Sequence, residues 1–491
     1  MTQETGKGRT REDRFERYVG QVIGALGHAD RAGPFRAYCS GLLLPTERKS
    51  VEPMAAMVDP EHVGARHQSM HHFVSAAAWS DEAVLRAAYR WGVEPLRKHG
   101  GIDAWVVDDT GMPKKGDKSV GVARQYCGAT GKQDNCQDAV SVSVVNEAGS
   151  IPVAYRLYLP EEWAKDRARR AKAGVPKEIE FQTKWQIALD HIDRAIAEGV
   201  PRAPVVADAG YGNVVEFREG VTERHLSYVV AIQSNTSAWP PGEGPLPPAE
   251  YRGTGRVPRW QRRDREHRPV SVLQLAQSLP PSSFRTVNWR EGTTGNMQSR
   301  FAAVRVRPAH KDDRRTEPRP EEWLLIEWPC GEKEPTKYWL STLPQRTPLR
   351  HLVRIAKIRW RVERDYQELK DELGLDHYEG RSWRGFHHHA SLCIAAYAFL
   401  MAERLRFSPR RPQGILSFLE VPPVPEDYRP RGSPSRTAAP TDVDHDHPPS
   451  TGDGPGTGAD PLSVLRSRGA SDVADAPLET PAAEVSEREY S

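Results

Sequence analysis

The sequence is poor in cysteine and contains no long apolar run. Its 491 residues include five cysteines, too few for a disulfide framework, and no Cys/His spacing typical of zinc sites. The longest apolar run, residues 390–402, falls short of the roughly 20 residues that cross a bilayer. The N-terminal residues lack the apolar segment of a secretory signal. These absences exclude disulfide-rich secreted and membrane-spanning proteins, and we expect a cytoplasmic protein with no membrane partner.

Acidic residues are in excess at only one end of the chain. Residues 421–491 contain six basic and thirteen acidic residues, whereas the rest of the chain carries ten more basic than acidic residues. Residues 408–491 are also rich in Pro, Gly, Ser and Asp and almost without aromatics, which predicts disorder. The basic body favours an anionic partner such as nucleic acid.

Hydrophobic periodicity divides the remaining chain into segments of different character. Phe15, Tyr18 and Val22 begin a helical spacing that continues, with interruptions, to about residue 100. The predicted organisation is a disordered start (1–13), a helical N-terminal module (14–100), the first part of an α/β core (101–234), a β-rich insertion (235–345), and C-terminal helices that complete the core (346–407). Within the last segment, residues 349–373 predict one long helix.

Two short apolar runs of the core each end in a carboxylate. Residues 104–108 end in Asp108, with Asp109 next to it, and residues 204–208 end in Asp208. Between them lie a predicted antiparallel hairpin (138–158) and a predicted helix (181–198). A strand–helix–strand crossover makes the last strand parallel to its neighbour, so both carboxylates would share one edge of the sheet.

A third carboxylate lies in the predicted C-terminal helices. Offsets of four and seven residues place Arg359, Glu363 and Lys370 on one face of a helix. Hard divalent ions such as Mg²⁺ bind through carboxylates, and a two-ion site for phosphoryl transfer needs about three of them. Asp108, Asp208 and Glu363 supply these groups, with cations nearby to hold phosphates.

These motifs together resemble a known enzyme family. The matching pieces, in chain order, are Asp108-Asp-Thr110, Val206-Ala-Asp208 and Arg359-x3-Glu363-x6-Lys370. They are similar to the catalytic motifs of bacterial insertion-sequence transposases with a DDE triad, in the cut-and-paste branch. Residues 107–116, 121–126 and 207–212 resemble the insertion sequence 701 family more closely. The signature tyrosine of the branch would fall on Ala356, a departure from the family pattern that concerns the contact of that tyrosine with the DNA end and leaves the metal site unaffected.

The resemblance implies a fold, a reaction and partners. The fold would be a ribonuclease-H-like catalytic core with a mixed sheet, and the enzyme would cleave insertion-sequence ends and join them to target DNA. Asp108, Asp208 and Glu363 would hold two Mg²⁺ ions, with Mn²⁺ as a substitute. The implied partner is double-stranded DNA, as terminal inverted repeats and target, bound by a homodimer at the nucleoid. The resemblance also implies that the helical N-terminal module (14–100) binds DNA.

Four residues are the expected DNA contacts. Arg359 and Lys370 would position phosphates beside the cut, and Lys114 and Lys115 would contact a phosphate near the first aspartate, although both could also lie in a solvated loop.

Several alternatives stay open at this stage. Because strand neighbours point to opposite faces, either Asp108 or Asp109 could be the first ligand, and the Asp-x-Thr spacing selects Asp108. The rival functions are a catalytically silent, transposase-derived DNA-binding regulator and a metal-dependent hydrolase of small phosphoesters. Most of the insertion tryptophans are expected to pack in the core, and the resemblance implies that one of them, which the sequence does not single out, stacks on an unpaired base. We interpret His387–His389 as the polar start of a helix.

Overall fold

The computed structural model describes residues 10–292 and 295–407. The expectations of disorder for residues 1–9 and 408–491 lie outside the described residues. Within the described part the helices are α1 (Arg11–Ile23), α2 (Ala32–Leu43), α3 (Val51–Val58), α4 (Val63–Ser75), α5 (Asp81–Arg97), α6 (Glu161–Lys165), α7 (Arg167–Ala173), α8 (Lys184–Ala197), α9 (Ala209–Gly212), α10 (Val215–Glu223), α11 (Val272–Ser278), α12 (Leu349–Lys357), α13 (Trp360–Asp371) and α14 (Trp383–Phe407). The strands are β1 (Ala104–Pro113), β2 (Ala123–Cys127), β3 (Lys132–Asn146), β4 (Gly149–Leu157), β5 (Val205–Ala207), β6 (Tyr228–Ile232), β7 (Ser237–Trp239), β8 (Val270–Ser271), β9 (Arg285–Gly292), β10 (Gly295–Pro308), β11 (Glu322–Trp328) and β12 (Lys337–Ser341). The prediction of a mixed α/β fold is confirmed.

The N-terminal segment is helical and packs on the C-terminal helix. Helix α1 begins at Arg11, because the Thr10 side chain accepts from the backbone of Asp13 and the Asp13 carboxylate accepts from the backbone of Thr10. Residues 11–13 are therefore helical, in contrast to the predicted disorder of residues 1–13. The buried Tyr18 hydroxyl donates to the carbonyl of Ala395 in α14. The helical module thus shares its core with the C-terminal helices.

One twelve-stranded sheet runs through the core and the insertion. Strand β1 pairs antiparallel with β3 and parallel with β5, as the crossover argument predicted. The predicted hairpin is formed by β3 and β4. Strand β6 pairs with β12, so the strands of residues 235–345 extend the same sheet. The insertion is β-rich as expected, but it is continuous with the core.

The predicted helix over residues 349–373 is broken in two. Helix α12 ends at Lys357 and α13 begins at Trp360, with Arg359 in the N-cap position of α13. The helical spacing continues through both segments, so periodicity alone cannot reveal the break. The break carries Arg359 toward β1, where its side chain meets Asp108.

Helix α14 is almost wholly buried, including His387, His388 and His389. The predicted position of the three histidines at a helix start is confirmed, but they face the core. Each ring bonds to backbone, as His389 Nε2 does to the Gly374 carbonyl at 2.8 Å. Within residues 10–292 and 295–407, no helix combines the length and apolarity required to span a membrane.

Candidate active site

The first two predicted carboxylates lie where β5 stops beside β1. Strand β1 pairs with β5 at two positions, where Trp105 lies opposite Val205 and Val106 lies opposite Val206. Beyond them β5 ends, whereas β1 continues past Asp108. Asp208 directly follows β5 and caps the short helix α9, accepting from the backbone of Gly210 at 2.9 Å. The side chain of Asp108 is buried, at 7% exposure. The fold therefore brings Asp108 and Asp208 to one edge of the sheet, as the sequence predicted.

The guanidinium of Arg359 lies among the three predicted carboxylates. Its Nη2 atom is 3.0 Å from Asp108 Oδ1 and 3.4 Å from Glu363 Oε1. Burial lowers the pKa of Arg359, but the carboxylates of Asp108, Asp208 and Glu363 outweigh this effect and hold the pKa above its ordinary value. We call these four residues the Arg359 cluster. Because three carboxylates surround one cation, the Arg359 cluster as a whole has an excess of negative charge when all four groups are ionised.

Asp108 is the electrostatically strained member of the Arg359 cluster. Burial raises its pKa to about 7, and the negative charges of Asp208 and Asp109 add to this, while Arg359 acts in the opposite direction. Its Oδ1 atom accepts from Arg359 and from the backbone of Asp109 at 2.9 Å. A desolvated carboxylate with too few cations around it is typical of functional sites.

A second set of charged side chains, the Lys184 cluster, adjoins the first. The Lys184 amine bonds to Asp109 Oδ2 at 2.7 Å and to Asp138, and the Tyr211 hydroxyl donates to Asp109. Burial raises the pKa of Asp138, which is 2% exposed. Asp109 is thus held by Lys184 and Tyr211 while Asp108 faces Arg359, an arrangement that favours Asp108 as the first ligand.

Sequence reasoning missed the Lys184 cluster. Asp138 begins a predicted strand and carries no motif, and Lys184 stands among ordinary helix residues. Neither position has a spacing that signals chemistry. For Asp138 the sequence offers one signal, a carboxylate placed directly before the valine-rich stretch 139–145.

The other predicted DNA contacts occupy different environments. The Lys114 amine donates to the backbone carbonyls of Asp376 and Tyr378, at 3.2 and 3.0 Å, and the Lys370 amine donates to the Gly111 carbonyl at 2.9 Å. Lys115 is exposed in the loop after β1. In this arrangement Lys114 and Lys370 fix the end of β1, and either amine would have to exchange these bonds to reach a phosphate.

A cavity of about 670 Å³ opens beside the two clusters. Its lining includes Asp108, Asp109, Asp138, Asp208, Lys184, Arg359, Tyr126, Gly128, Trp185, Gly210 and Tyr211. Glu363 is not part of this lining, and its side chain is 56% exposed.

The donor chemistry of this region suits a hard divalent cation. Among the residues that the structure describes, the ion pairs of the five carboxylates in the two clusters involve two cations, Arg359 and Lys184, so three negative charges are in excess within the clusters when all groups are ionised. Asp138 Oδ1 and the Thr110 hydroxyl are buried and have no hydrogen-bond partner within the described part of the chain. In the same part, no three acidic, histidine or cysteine side chains are arranged so that they could hold one ion together. Arg359 lies between the carboxylates that would have to converge.

The structure separates the insertion tryptophans by burial. Trp239 and Trp339 are buried, Trp289, Trp323 and Trp328 are partly buried, and Trp260 is 52% exposed. Which of them, if any, meets DNA stays a prediction. Ala356, where the signature tyrosine would stand, is buried in α12 at 6% exposure.

Comparison with known proteins gives concordant results. A family model described as DDE superfamily endonuclease matches residues 21–296, a range that contains Asp108 and Asp208. A probable transposase for insertion sequence element IS701 from Microchaete diplosiphon is 31% identical over 196 residues, which cover 40% of this chain and 47% of that protein. The chain thus spans about half the length of this curated relative.

A solved structure also aligns with most of the chain. It is a cryo-EM structure of the piggyBac transposase synaptic complex with hairpin DNA, at 10% identity and a TM-score of 0.38, covering 84% of this chain and 71% of that one. The family match, which extends over more than half of the sequence, places the chain in a defined group: it belongs to the DDE superfamily of endonucleases.

Proposed function

We propose that this chain is a DNA transposase that cleaves insertion-sequence ends and joins them to target DNA. The observation that carries the proposal is the Arg359 cluster, in which carboxylates from β1, the end of β5 and α13 surround one guanidinium. The first and last of these carboxylates, Asp108 and Glu363, are 255 residues apart in the sequence. The family match makes phosphodiester DNA the substrate to test first. The IS701 relative, named as a probable transposase, supports the same choice.

Asp108, Asp208 and Glu363 are the proposed ligands of two Mg²⁺ ions, with Mn²⁺ as a substitute. The excess of carboxylates over cations and the unpartnered oxygens of Asp138 and Thr110 support an oxygen-ligand site here. When bound, such ions activate the attacking oxygen and stabilise the leaving oxygen of a phosphodiester. Glu363, which is exposed at the edge of α13, would approach Asp108 once Arg359 no longer separates them.

Arg359 is the proposed phosphate-binding residue of the site. A guanidinium presents several donors in one plane and matches the oxygens of a phosphate. Asp108 and Glu363 hold it at the cavity, so it needs only a side-chain rotation to exchange a carboxylate for a phosphate oxygen. The Lys184 cluster keeps Asp109 engaged and thereby leaves Asp108 as the β1 residue that faces the substrate.

The remaining parts of the proposal concern the fold and the partners. The mixed sheet around β1 and β5 would be a ribonuclease-H-like core, and the helices of residues 14–100 would bind terminal repeats. Exposed Lys115 is the proposed phosphate contact of the loop after β1. Cutting two ends in concert requires a homodimer on double-stranded DNA, acting in the cytoplasm at the nucleoid.

The test is Mg²⁺-dependent cleavage of plasmid DNA that carries the genomic segments flanking this gene. Glu363→Gln keeps the side-chain shape and removes the charge, so we expect cleavage to fall by more than about 100-fold while DNA binding is retained. The matched control is Glu368→Gln, since Glu368 lies on the same helix but pairs with Arg404 at 2.9 Å, outside the cluster. This control should cleave like the wild type.

Three outcomes decide the proposal. Loss of cleavage in Glu363→Gln alone supports it. If the wild type binds the DNA and does not cut it, the chain is a regulator without catalytic activity. If Glu363→Gln cuts as fast as the wild type, Glu363 is not a ligand.

A further inference from the structure

The break between α12 and α13 has no cause in its own sequence. Residues 356–361 contain neither glycine nor proline, and Ile358 and Arg359 both keep right-handed helical dihedral angles. The chain tightens there, because the backbone amides of Arg361 and Val362 donate to carbonyls only three residues back. A helix that breaks without glycine or proline needs an external cause. The contacts that hold this break therefore come from another part of the fold.

Strand β9 of the insertion contacts both sides of the break. The Lys357 amine, at the end of α12, lies 4.6 Å from the centre of the Trp289 ring. The guanidinium of the next strand residue, Arg290, lies 4.1 Å from the centre of the Trp360 ring at the start of α13. Both are attractive contacts between a cation and an aromatic face. We call Trp289, Arg290, Lys357 and Trp360 the β9 clamp, and Arg359 lies in the two-residue segment that it encloses.

A β-bulge lets two consecutive residues of β9 reach the same helix pair. In a regular strand, neighbouring side chains point to opposite faces. In the pairing of β9 with β10, Arg290 lies opposite Met297 and Asn288 lies opposite Gln298, so Trp289 is the extra residue between them. Bulges redirect side chains in this way and recur beside active sites. The irregularity in β9 therefore serves both halves of the β9 clamp.

The α12 side of the clamp is firmly anchored. The Lys357 amine donates to Glu327 Oε2 on β11 at 2.5 Å, and the two side chains are 14% and 5% exposed. The rings of Phe301 and Trp339 also lie near this amine, at 5.7 and 5.4 Å. Moving the cation would leave the buried carboxylate of Glu327 unpaired, which is costly. The end of α12 is thereby fixed to the strands of the insertion.

We propose that the β9 clamp positions the proposed active site: it sets the break between α12 and α13 and so aims Arg359 at Asp108 and at the scissile phosphate. The inference rests on the proposed function, in which Arg359 binds that phosphate. With the break in place, Arg359 Nη2 lies 3.0 Å from Asp108 Oδ1. Without the clamp, α12 and α13 are free to join as one helix, which would turn Arg359 away from β1. A displacement of about 1 Å at a catalytic group costs up to about 100-fold in rate.

The experiment uses the full-length chain and the plasmid DNA of the cleavage test, with single-turnover rates measured in Mg²⁺ at saturating protein. Arg290→Ala and Trp360→Ala each remove one partner of the same contact and should slow cleavage of bound DNA by about 10- to 100-fold. Trp360→Phe keeps a ring face for Arg290 and should restore most of the wild-type rate.

The matched control is Arg300→Ala. Arg300 lies on β10, the partner strand of β9, with its guanidinium 5.8 Å from the centre of the Trp328 ring. Its side chain points to the opposite face of the strand from Phe301, and so away from Lys357. The substitution removes the same charge and the same kind of contact as Arg290→Ala. It should cleave like the wild type, and both variants should bind DNA in EDTA with the same affinity.

Urea unfolding in EDTA tests the same link without DNA. If the clamp aims Arg359, the effects of Arg290→Ala and Arg359→Gln on the unfolding constant depend on each other. The double variant should then differ from the product of the two single effects by more than about 2-fold. Arg300→Ala combined with Arg359→Gln should equal the product of its single effects. If the clamp only adds stability, Arg290→Ala acts equally in both backgrounds, and the inference is refuted.

The outcomes separate this inference from the proposed function. If the wild type cleaves, and Arg290→Ala and Trp360→Ala cleave as fast as Arg300→Ala, the clamp does not position Arg359 and the transposase proposal stands. If the loss in Arg290→Ala disappears at saturating protein, Arg290 is a DNA contact and the inference is overturned. If the wild type does not cleave, the proposed function fails, and the unfolding measurement alone decides whether the clamp holds Arg359.

Discussion

Replacing Asp108 by Asn should stabilise the metal-free protein while abolishing its activity. The Asp108 carboxylate is buried, with Asp208 and Asp109 nearby, and its pKa is raised from 3.8 to about 7. Asn has the same shape, and its Oδ1 atom can still accept from Arg359 and from the backbone of Asp109. The substitution therefore removes a buried charge and keeps both hydrogen bonds.

The size and pH dependence of the effect follow from the pKa shift. When an acidic group has a higher pKa in the folded than in the unfolded state, the protein's free energy of unfolding falls as pH rises between the two pKa values. Asp108 thus destabilises the fold increasingly from about pH 4 to pH 7, and fully above pH 7. A shift of about three pKa units corresponds to about 4 kcal/mol, which Asp108→Asn should recover at pH 8 and not at pH 4.

Urea unfolding of both proteins in EDTA, from pH 4 to pH 8, measures this difference. Asp109→Asn is the matched control and should destabilise the fold, because it removes the negative charge that pairs with Lys184 and leaves one acceptor oxygen for the two donors, Lys184 and Tyr211. The reasoning is refuted if Asp108→Asn is less stable than the wild type at pH 8, or if the difference in free energy of unfolding between the two proteins does not change between pH 4 and pH 7. Functional sites often carry such a cost in stability.

Two further predictions concern groups away from the proposed ligands. Lys184→Met should lower the free energy of unfolding by about 3–5 kcal/mol, since it leaves the carboxylate of the buried Asp138 without its cation, and Lys184→Arg should restore most of it in urea unfolding. Burial lowers the pKa of His388 and of His389 to about 4, so the fold should lose about 3 kcal/mol for each between pH 6.5 and pH 4 as the imidazoles are forced to protonate. Acid unfolding followed by circular dichroism measures this loss, and using the Asp108→Asn protein removes the opposite pH trend of Asp108. His389→Gln should reduce the loss of stability, because its amide can replace the bonds to Tyr38 and Gly374. An acid transition unchanged by His389→Gln would contradict the role given to His389.

Local patterns were sufficient to predict the elements that carry the candidate site. The apolar runs before Asp108 and Asp208 fold as β1 and β5, and the helical pattern between them fixes the parallel pairing through a crossover. The N-terminal helices and the hairpin of β3 and β4 are also present as predicted. Each of these features depends on short-range spacing, turn residues or connection rules, all of which are visible in the sequence.

Features that depend on contacts between distant residues could not be predicted. The break between α12 and α13 is invisible to periodicity, because the helical spacing continues across Arg359. The pairing of β6 with β12, which makes the insertion part of the core sheet, joins residues about 110 apart. The partners of Lys184 are likewise up to 75 residues away in sequence.

The sequence by itself determined which chemical groups this protein brings together: three carboxylates, a cation among them, and the order of strands that carries the first two to one edge. Only the tertiary structure decided how those groups are arranged. It places Arg359 in contact with both Asp108 and Glu363, and it pairs Asp109 with Lys184. It also places Tyr126 and Trp185 in the lining of the cavity that the carboxylates share. The physical reason is that periodicity encodes which face of an element is buried, whereas the charge balance of a buried site is set by side chains that meet only after the chain has folded.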